Sequence, residues 1–556
     1  MIRKAGLFFA MIAWLIAAVD CHAQYVATHH VRDAVRNDQA PPVGRLPESR
    51  VMQLDIVLAL RDPAGLKAFL EEIYDPNSGI YHQFLTPKEF TERFGPSQAD
   101  YDAVLRFAKE NGLAVVGGSR DGMEVQVRGT VGAVEHAFHV TMGTYRHPDE
   151  NRIFYSPDRE PTTTLPFELW HISGLDNYSI PHPLYVKKSD YEFAAAAHGF
   201  NKPQAPRATT GSGPSASFLG SDMRAAYYGT GSLTGTGQNL GLLEYYGTDL
   251  ADLNTYYANV QQTNHVPITL LSTDGTSTSC LASQGCDDTE QTLDMTQALG
   301  MAPGLASLTM YVGSSDTAII SAMTTHSPLP TTIGCSWGWT PADPSTLDPY
   351  FQKMSAQGQN FFAASGDSST WSRRNEAWPA DDDYVVSVGG TDLTTASAAG
   401  PWKSETAWSY SGGGISPDRI VIPSWQKLSG VINSSNRGSK TYRNGPDVSA
   451  NANFTFYVCA DQTTCTANEY GGTSFAAPMW AGYIALVNQQ RAANGKGTLG
   501  FINPAIYPIG VSSSYGSDFH DITSGTSGSY SAVKGYDLVT GWGSPNSGLL
   551  GALAAQ

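Results

Sequence analysis

Positive charge is scarce in this chain of 556 residues, where 34 Lys and Arg stand against 51 Asp and Glu for a formal net charge of -17. Proteins that follow nucleic-acid backbones gain affinity by setting Lys and Arg against phosphates, so that class of partner is excluded. Charged residues of either sign make up only 15% of the chain while hydrophobic ones reach 41%, a globular composition rather than a disordered one. Past Val19 no apolar run is long enough to cross a bilayer, so no membrane contact is expected of the mature chain. Cysteine is sparse, with six in all. Histidine is nearly missing from the second half, where only His265, His326 and His520 follow residue 217.

What is present begins with an export signature. Arg3 and Lys4 precede an apolar run from Ala5 to Val19, and Cys21-His22-Ala23 ends in a small residue before Gln24. This reads as a signal peptide over residues 1–23, cut after Ala23. A membrane anchor is disfavoured by the short run and the processing site, and lipidation of Cys21 by Asp20 before it. The expected location is outside the cell, or the periplasm of a Gram-negative host. Loss of Cys21 leaves two close pairs, Cys280 with Cys286 and Cys459 with Cys465, and Cys335 alone. In an oxidising compartment the pairs favour local disulfides over zinc, because neither has zinc-finger spacing or an accompanying histidine. Cys335 reads as a buried small hydrophobe.

So long a chain exceeds one hydrophobic core, and its pattern changes midway. Strand-like Val51 to Leu60, helical spacing over Ala64–Tyr74, Pro87–Phe94 and Gln98–Asn111, strands at Leu113–Val116 and Met123–Val127, and a helix over Val131–Phe138 predict a compact α+β unit. The segment Ala194 to Ser217 is rich in Pro, Gly and Ser and lacks periodicity, as an exposed linker does. Beyond Phe218, short apolar runs at Asn239–Glu244, Ser307–Val312, Thr331–Ser336, Asn360–Ala364 and Tyr384–Val388 alternate with helical stretches. That alternation predicts an α/β domain with a doubly wound parallel sheet and active groups at strand C-terminal ends.

The strongest chemical signal is Gly471-Gly472-Thr473-Ser474-Phe475-Ala476-Ala477-Pro478, followed by an apolar helical run. It resembles the nucleophile segment of the subtilisin-like superfamily. Glycines permit close approach, and a serine at a helix N-terminus can turn its own amide toward a developing oxyanion. A serine nucleophile needs a base, and none of the three remaining histidines has the setting of a subtilisin histidine. Glu290 and Asp294 lie four residues apart on a helical stretch and so share one face. Such a pair reads either as a solvated acidic face or as a carboxylate base backed by a second carboxylate.

With Asp367 in Ala364-Ser365-Gly366-Asp367-Ser368, the ordered set resembles the sedolisin, or serine-carboxyl peptidase, family, and nearly the whole chain after the signal takes part. Tyr81-His82-Gln83-Phe84-Leu85-Thr86-Pro87 resembles the family's activation-domain motif, and Val388-Gly389-Gly390-Thr391, Pro423-Ser424-Trp425-Gln426 and Pro446-Asp447-Val448 resemble landmarks of its catalytic domain. The resemblance implies a ferredoxin-like α+β pro-domain over residues 24–190, a processing linker over 191–217 cut between Ala194 and Ser217, and a subtilisin-like catalytic domain over 218–556. It implies acid-phase hydrolysis of protein or peptide substrates: Glu290 takes the Ser474 proton, Asp294 orients and buffers Glu290, and protonated Asp367 joins the Ser474 amide at the oxyanion. The pro-domain is implied as an intramolecular inhibitor, and Glu244 and Trp337 as residues linked to Glu290. Phe519-His520-Asp521-Ile522-Thr523 with Lys534-Gly535-Tyr536-Asp537 is similar to the family's calcium site, which implies one structural Ca²⁺ held by the Asp521 and Asp537 carboxylates and the carbonyls of Ile522, Val533 and Gly535. Val533 stands where the family usually has glycine. Ala377 stands where some members carry an acidic pocket residue, so no preference for basic side chains is implied. The chain is expected to act as a monomer. A secreted binding protein on a peptidase scaffold and a neutral subtilisin-type hydrolase are the competing readings.

Overall fold

The computed structural model describes residues 25–26, 30–190, 210–340, 344–373 and 377–556, with backbone alone at 25, 26, 344 and 345. The signal expected at 1–23 and most of the linker expected at 191–217 lie outside them.

Met52, Leu54, Ile56 and Leu58 recur with period two and draw Val51–Leu58 into strand β1, with these four side chains in one core. Helix α1 (Pro63–Ile73) is capped by the Asp62 carboxylate. Helix α2 (Pro87–Arg93) opens with a reciprocal capping box between Thr86 and Glu89 and with Pro87 in its first turn. Ser97 caps α3 (Gln98–Glu110). Strands β2 (Ala114–Ser119) and β3 (Glu124–Thr130), helix α4 (Val131–Phe138) and strand β4 (Leu169–Ser173) complete the unit. The sheet order β2-β3-β1-β4, antiparallel throughout, is the ferredoxin-like order that the resemblance implies. Phe107, Val127, Val134 and Phe138 fill its core.

Two short strands follow, β5 (His182–Pro183) and β6 (Val186–Lys187). The second unit is built on β7 (Asn239–Glu244), β8 (Ile268–Ser272), β9 (Ser307–Val312), β10 (Thr332–Cys335), β12 (Asn360–Ala364), β13 (Val386–Thr395) and β14 (Trp402–Ala407), in spatial order β8-β9-β7-β10-β12-β13-β14; the short β11 (Trp337–Gly338) stands off this sheet. Every pairing along that path is parallel except β13 with β14, and β15 (Val448–Asn451) pairs β13 in parallel. β13 runs seven residues past Val388, where the sequence pattern stops, because Val388–Thr391 pairs with β15 and Thr391–Thr395 with β14. Alternate residues serve opposite faces: Leu240, Leu242, Phe362 and Ala364 join one apolar cluster, Leu243, Phe361 and Ala363 another. Helices α5 (Thr289–Met301) and α8 (Ala476–Ala493) cover the first face, α6 (Asp316–Met323) and α7 (Pro344–Ala356) the second. The strand order reverses around β7, which opens the crevice where doubly wound sheets carry their sites.

The units share a core. Leu66, Phe69, Leu70 and Phe90 of the first pack in one cluster with Ile319, Phe351 and Trp378 of the second. The ring of Phe84 lies where side chains at Gly358 and Gly500 would stand, and the Leu85 amide donates to the Ala356 carbonyl at 2.9 Å. Disulfides join Cys280 to Cys286 and Cys459 to Cys465, and Cys335 is a buried free thiol, as expected. No described helix is long and apolar enough to cross a membrane.

Candidate active site

Helix α5 is buried almost all round, so its two acidic residues have little access to water. The Ser474 hydroxyl donates to Glu290 Oε2 at 2.9 Å, Ser336 Oγ donates to Asp294 Oδ1 at 2.7 Å, and the Trp337 indole donates to Glu244 Oε2 at 3.0 Å. The remaining oxygens, Glu290 Oε1, Asp294 Oδ2 and Glu244 Oε1, are buried and receive no N–H or hydroxyl donor. Protons shared between the carboxyls are what can satisfy them, since three bare charges this close and this dry are prohibitively costly. Burial, then Asp294 and Glu244, pushes Glu290 well above the usual carboxylate range. Burial likewise lifts Asp294 to about 8, and burial with Asp294 lifts Glu244 far up. The arrangement can therefore share protons among the three carboxyls, with Glu290 at the serine end.

The start of α5 is pinned from outside. Asp288 N–H donates to Asp461 Oδ1 at 3.0 Å and Asp461 N–H returns a bond to Asp288 Oδ1 at 2.9 Å. Asp461 sits inside the loop closed by Cys459–Cys465.

Ser474 lies in a 3₁₀ turn, Thr473–Phe475, that runs into α8. Asp367, three residues past the end of β12, accepts at Oδ1 from the Thr473 amide at 2.8 Å and hydroxyl at 2.9 Å. The same hydroxyl accepts from the Gly366 amide at 3.1 Å, so Thr473 locks the two loops together. Gly472 has φ +142°, and a Cβ there would come 2.5 Å from Leu184 O and 2.7 Å from Asp367 Oδ2.

The crevice is filled by the chain itself. β5 pairs antiparallel with β11, and β6 pairs antiparallel with β16 (Tyr470–Gly471). Between them the Leu184 amide donates to the Ser336 carbonyl at 2.8 Å, and the Ser474 amide donates to the Leu184 carbonyl at 3.1 Å. Ser474 is completely buried beneath this segment.

Glu290, Asp294, Asp367 and Ser474 thus converge, as do Glu244 and Trp337. Sequence reasoning misses Ser336, which bonds both Asp294 and Leu184, and Thr473; each stands directly beside a residue the sequence singles out, Trp337 and Ser474. The five residues read as calcium ligands gather separately. Val533 N–H donates to Asp537 Oδ2 and Gly535 N–H to Asp521 Oδ1, each at 3.1 Å, so both carboxylates address one loop that also carries two of the named carbonyls. Asp537 is fully buried, and its partners are the Val533, Val539 and Thr540 amides and the Thr540 hydroxyl, none of them a cation. A buried carboxylate without a cationic side-chain partner, sharing one loop with a second carboxylate, fits a hard divalent ion. His520 stacks flat on Trp402 at 3.9 Å. Ala377 is buried.

Residues 38–177 match the family described as pro-kumamolisin, activation domain, and residues 274–499 match the subtilase family. Kumamolisin from Bacillus sp. (strain MN-32) is 29% identical over 545 residues, spanning 91% of this chain and 93% of that protein. Sedolisin from Pseudomonas sp. (strain 101) is 28% identical over 552 residues, spanning 91% and 87%. A solved structure of Pseudomonas sedolisin complexed with two molecules of pseudo-iodotyrostatin is 26% identical, covers 62% of this chain and 98% of its own, and has a TM-score of 0.49. The chain is a serine-type peptidase with a pro-kumamolisin activation domain ahead of a subtilase-type peptidase domain, similar along most of its length to kumamolisin and sedolisin.

Proposed function

We propose that this chain is a secreted endopeptidase precursor that cuts peptide bonds in acid through Ser474, Glu290, Asp294 and Asp367. Glu290 takes the Ser474 proton as Oγ attacks the substrate carbonyl, Asp294 holds and buffers Glu290, and protonated Asp367 joins the Ser474 amide in binding the oxyanion. Glu290 then protonates the leaving amine, and water releases the acyl group with the same base. The observation that carries the reading is the 2.9 Å bond from Ser474 Oγ to Glu290 beside a carbonyl held 3.1 Å from the Ser474 amide. Glu290 must accept a proton while Asp367 must donate one, which confines activity to acid. Residues 24–190 act as pro-domain and inhibitor, 191–217 as processing linker, and 218–556 as the catalytic monomer; residues 1–23 direct export.

The test is hydrolysis of denatured protein from about pH 3 to 8 by acid-matured wild type, Ser474→Ala and Glu290→Gln. Acid-limited cleavage that falls roughly 10³-fold or more in both variants is expected. A rate that stays level through neutral pH, or a folded and processed wild type that cuts nothing, overturns the reading and favours the binding-protein alternative.

Asp521 and Asp537 with the carbonyls of Ile522, Val533 and Gly535 would hold Ca²⁺, which supplies charge neutralisation and loop rigidity there rather than any chemistry on the substrate. Chelation is expected to lower the melting temperature of the mature enzyme, and added Ca²⁺ to restore it. Asp537→Ala is expected to abolish that calcium response. An unchanged melting curve under chelation removes calcium from the account.

A further inference from the structure

We propose that the Leu184–Tyr185 peptide bond is the bond this chain cuts first in its own maturation, upstream of 191–217, and that the same subsite selects leucine-sized apolar side chains in other substrates. This deepens the function proposed above and rests on it.

The segment lies in the register of a substrate. A peptide presented to a serine nucleophile needs its carbonyl oxygen at the oxyanion donors and its flanks extended on both sides of the scissile bond. The Leu184 carbonyl accepts from the Ser474 amide at 3.1 Å, and the hydroxyl of that same residue is already bonded to Glu290 at 2.9 Å. Upstream, His182–Pro183 is paired with Trp337–Gly338; downstream, Val186–Lys187 is paired with Tyr470–Gly471, and the Lys188 amide reaches the Glu469 carbonyl at 2.8 Å. A segment that merely plugged the cleft has no need to be paired in both halves.

Residue types bar a slip of the register in one direction. The amide that bonds Ser336 O belongs to the residue at the scissile position, and a slip that brought Pro183 there would leave no N–H to donate. Leu184 itself is 4% exposed and joins the main apolar cluster of the peptidase domain, so the pocket that receives it is apolar. On the far side of the bond the Tyr185 hydroxyl donates to Asp287 Oδ2 at 3.1 Å and its ring meets Tyr470 edge-on at 5.8 Å. A Cβ on Gly472 would come 2.5 Å from Leu184 O and 2.7 Å from Tyr185 Cα, so the bond approaches the turn before Ser474 as closely as backbone allows.

The step balances with water alone. Ser474 Oγ adds to the Leu184 carbonyl carbon and its proton passes to Glu290. Collapse breaks the bond from Leu184 C to Tyr185 N, and Glu290 protonates the departing Tyr185 amine. Water then cleaves the Leu184–Ser474 ester, giving a Leu184 carboxylate and the free hydroxyl.

The experiment acidifies purified full-length precursor and follows intact mass and N-terminal sequence with time, with Ser474→Ala as the uncut control. The first products are expected to end at Leu184 and begin at Tyr185. A first cut at any other bond by an enzyme that digests denatured protein overturns the assignment and leaves the peptidase reading standing, whereas a precursor inert toward every substrate removes both. In parallel, matured enzyme receives the peptide Pro-His-Pro-Leu-Tyr-Val-Lys-Lys-Ser and its Leu-to-Asp analogue, which avoids any folding defect of a precursor variant. Cleavage between Leu and Tyr with a kcat/KM about tenfold or more above the analogue is expected, and equal rates overturn the apolar subsite.

Discussion

At the residue scale the site is a matter of which carboxyl holds which proton. Glu290 bonds the serine, but burial and its two acidic neighbours set how easily it ionises. Glu244→Gln keeps an acceptor for the Trp337 indole and removes one of the groups that raise Glu290. Loss of that repulsion lets Glu290 ionise at lower pH, so the acidic limb of the kcat/KM profile is expected to move down in pH. An acidic limb that stays in place would mean that Glu244 acts only through packing. Glu290, Asp294 and Ser474 were legible as residues because each sits in a short motif, and local spacing puts Glu290 and Asp294 on one helical face. That they stand in a dry crevice and not on a solvated helix face was not legible, because α5 on its own shows no surroundings.

At the element scale, the helix that bears the carboxyls is held by a loop remote in sequence. The reciprocal bonds between Asp288 and Asp461 tie the start of α5 to the Cys459–Cys465 loop. Removing that crosslink frees a short loop in the unfolded chain, a cost of about 2 kcal/mol. It also loosens the position of Glu290. The double variant Cys459→Ala/Cys465→Ala is therefore expected to melt lower and to lose kcat more than KM changes. A variant with lower melting temperature and unaltered kcat would confine the disulfide to stability. Strand positions are legible where a short apolar run carries the strand by itself, as at Asn239–Glu244, Ser307–Val312 and Asn360–Ala364, which match residue for residue. The strand after Tyr384 was read short because its second half is held by partners from β14 and β15 rather than by its own apolar pattern.

At the scale of the whole molecule, the activation domain is docked by apolar packing and by a few titratable groups. His82, stacked between Tyr81 and Phe84 and near Tyr74, bonds Arg491 at 3.0 Å; burial, then Arg491 and Lys496, lowers it from its ordinary 6.5 to about 4. The docked form thus binds fewer protons at this site than the released form. Its contribution to docking is whole above about 6.5 and is lost as pH falls through about 4. Asp55, raised by burial to about 7 and bonded by Ser315, and Glu124, raised far by burial and Asp55, act with the opposite sign and favour docking as pH falls. His82→Gln removes the group that acid weakens between about pH 6.5 and 4, buried Lys353 beside Asp121 having the same sign but completing its change above that range, so acid-driven separation of the cleaved domains is expected to shift to lower pH by size-exclusion chromatography. A midpoint unchanged from wild type would assign release to other groups.

The division between the two kinds of information follows from distance along the chain. The sequence by itself determined the two-unit organisation, the parallel sheet, the local disulfides and the residue types of the site, because periodicity, capping and short motifs are set by neighbours within a few residues. Only the tertiary structure decided that Ser474 meets Glu290 across 184 positions, that Ser336 and Thr473 brace the carboxyls, and that Leu184 lies over the nucleophile. Those contacts depend on the strand order around β7 and on the docking of one unit against another, and no local pattern carries either.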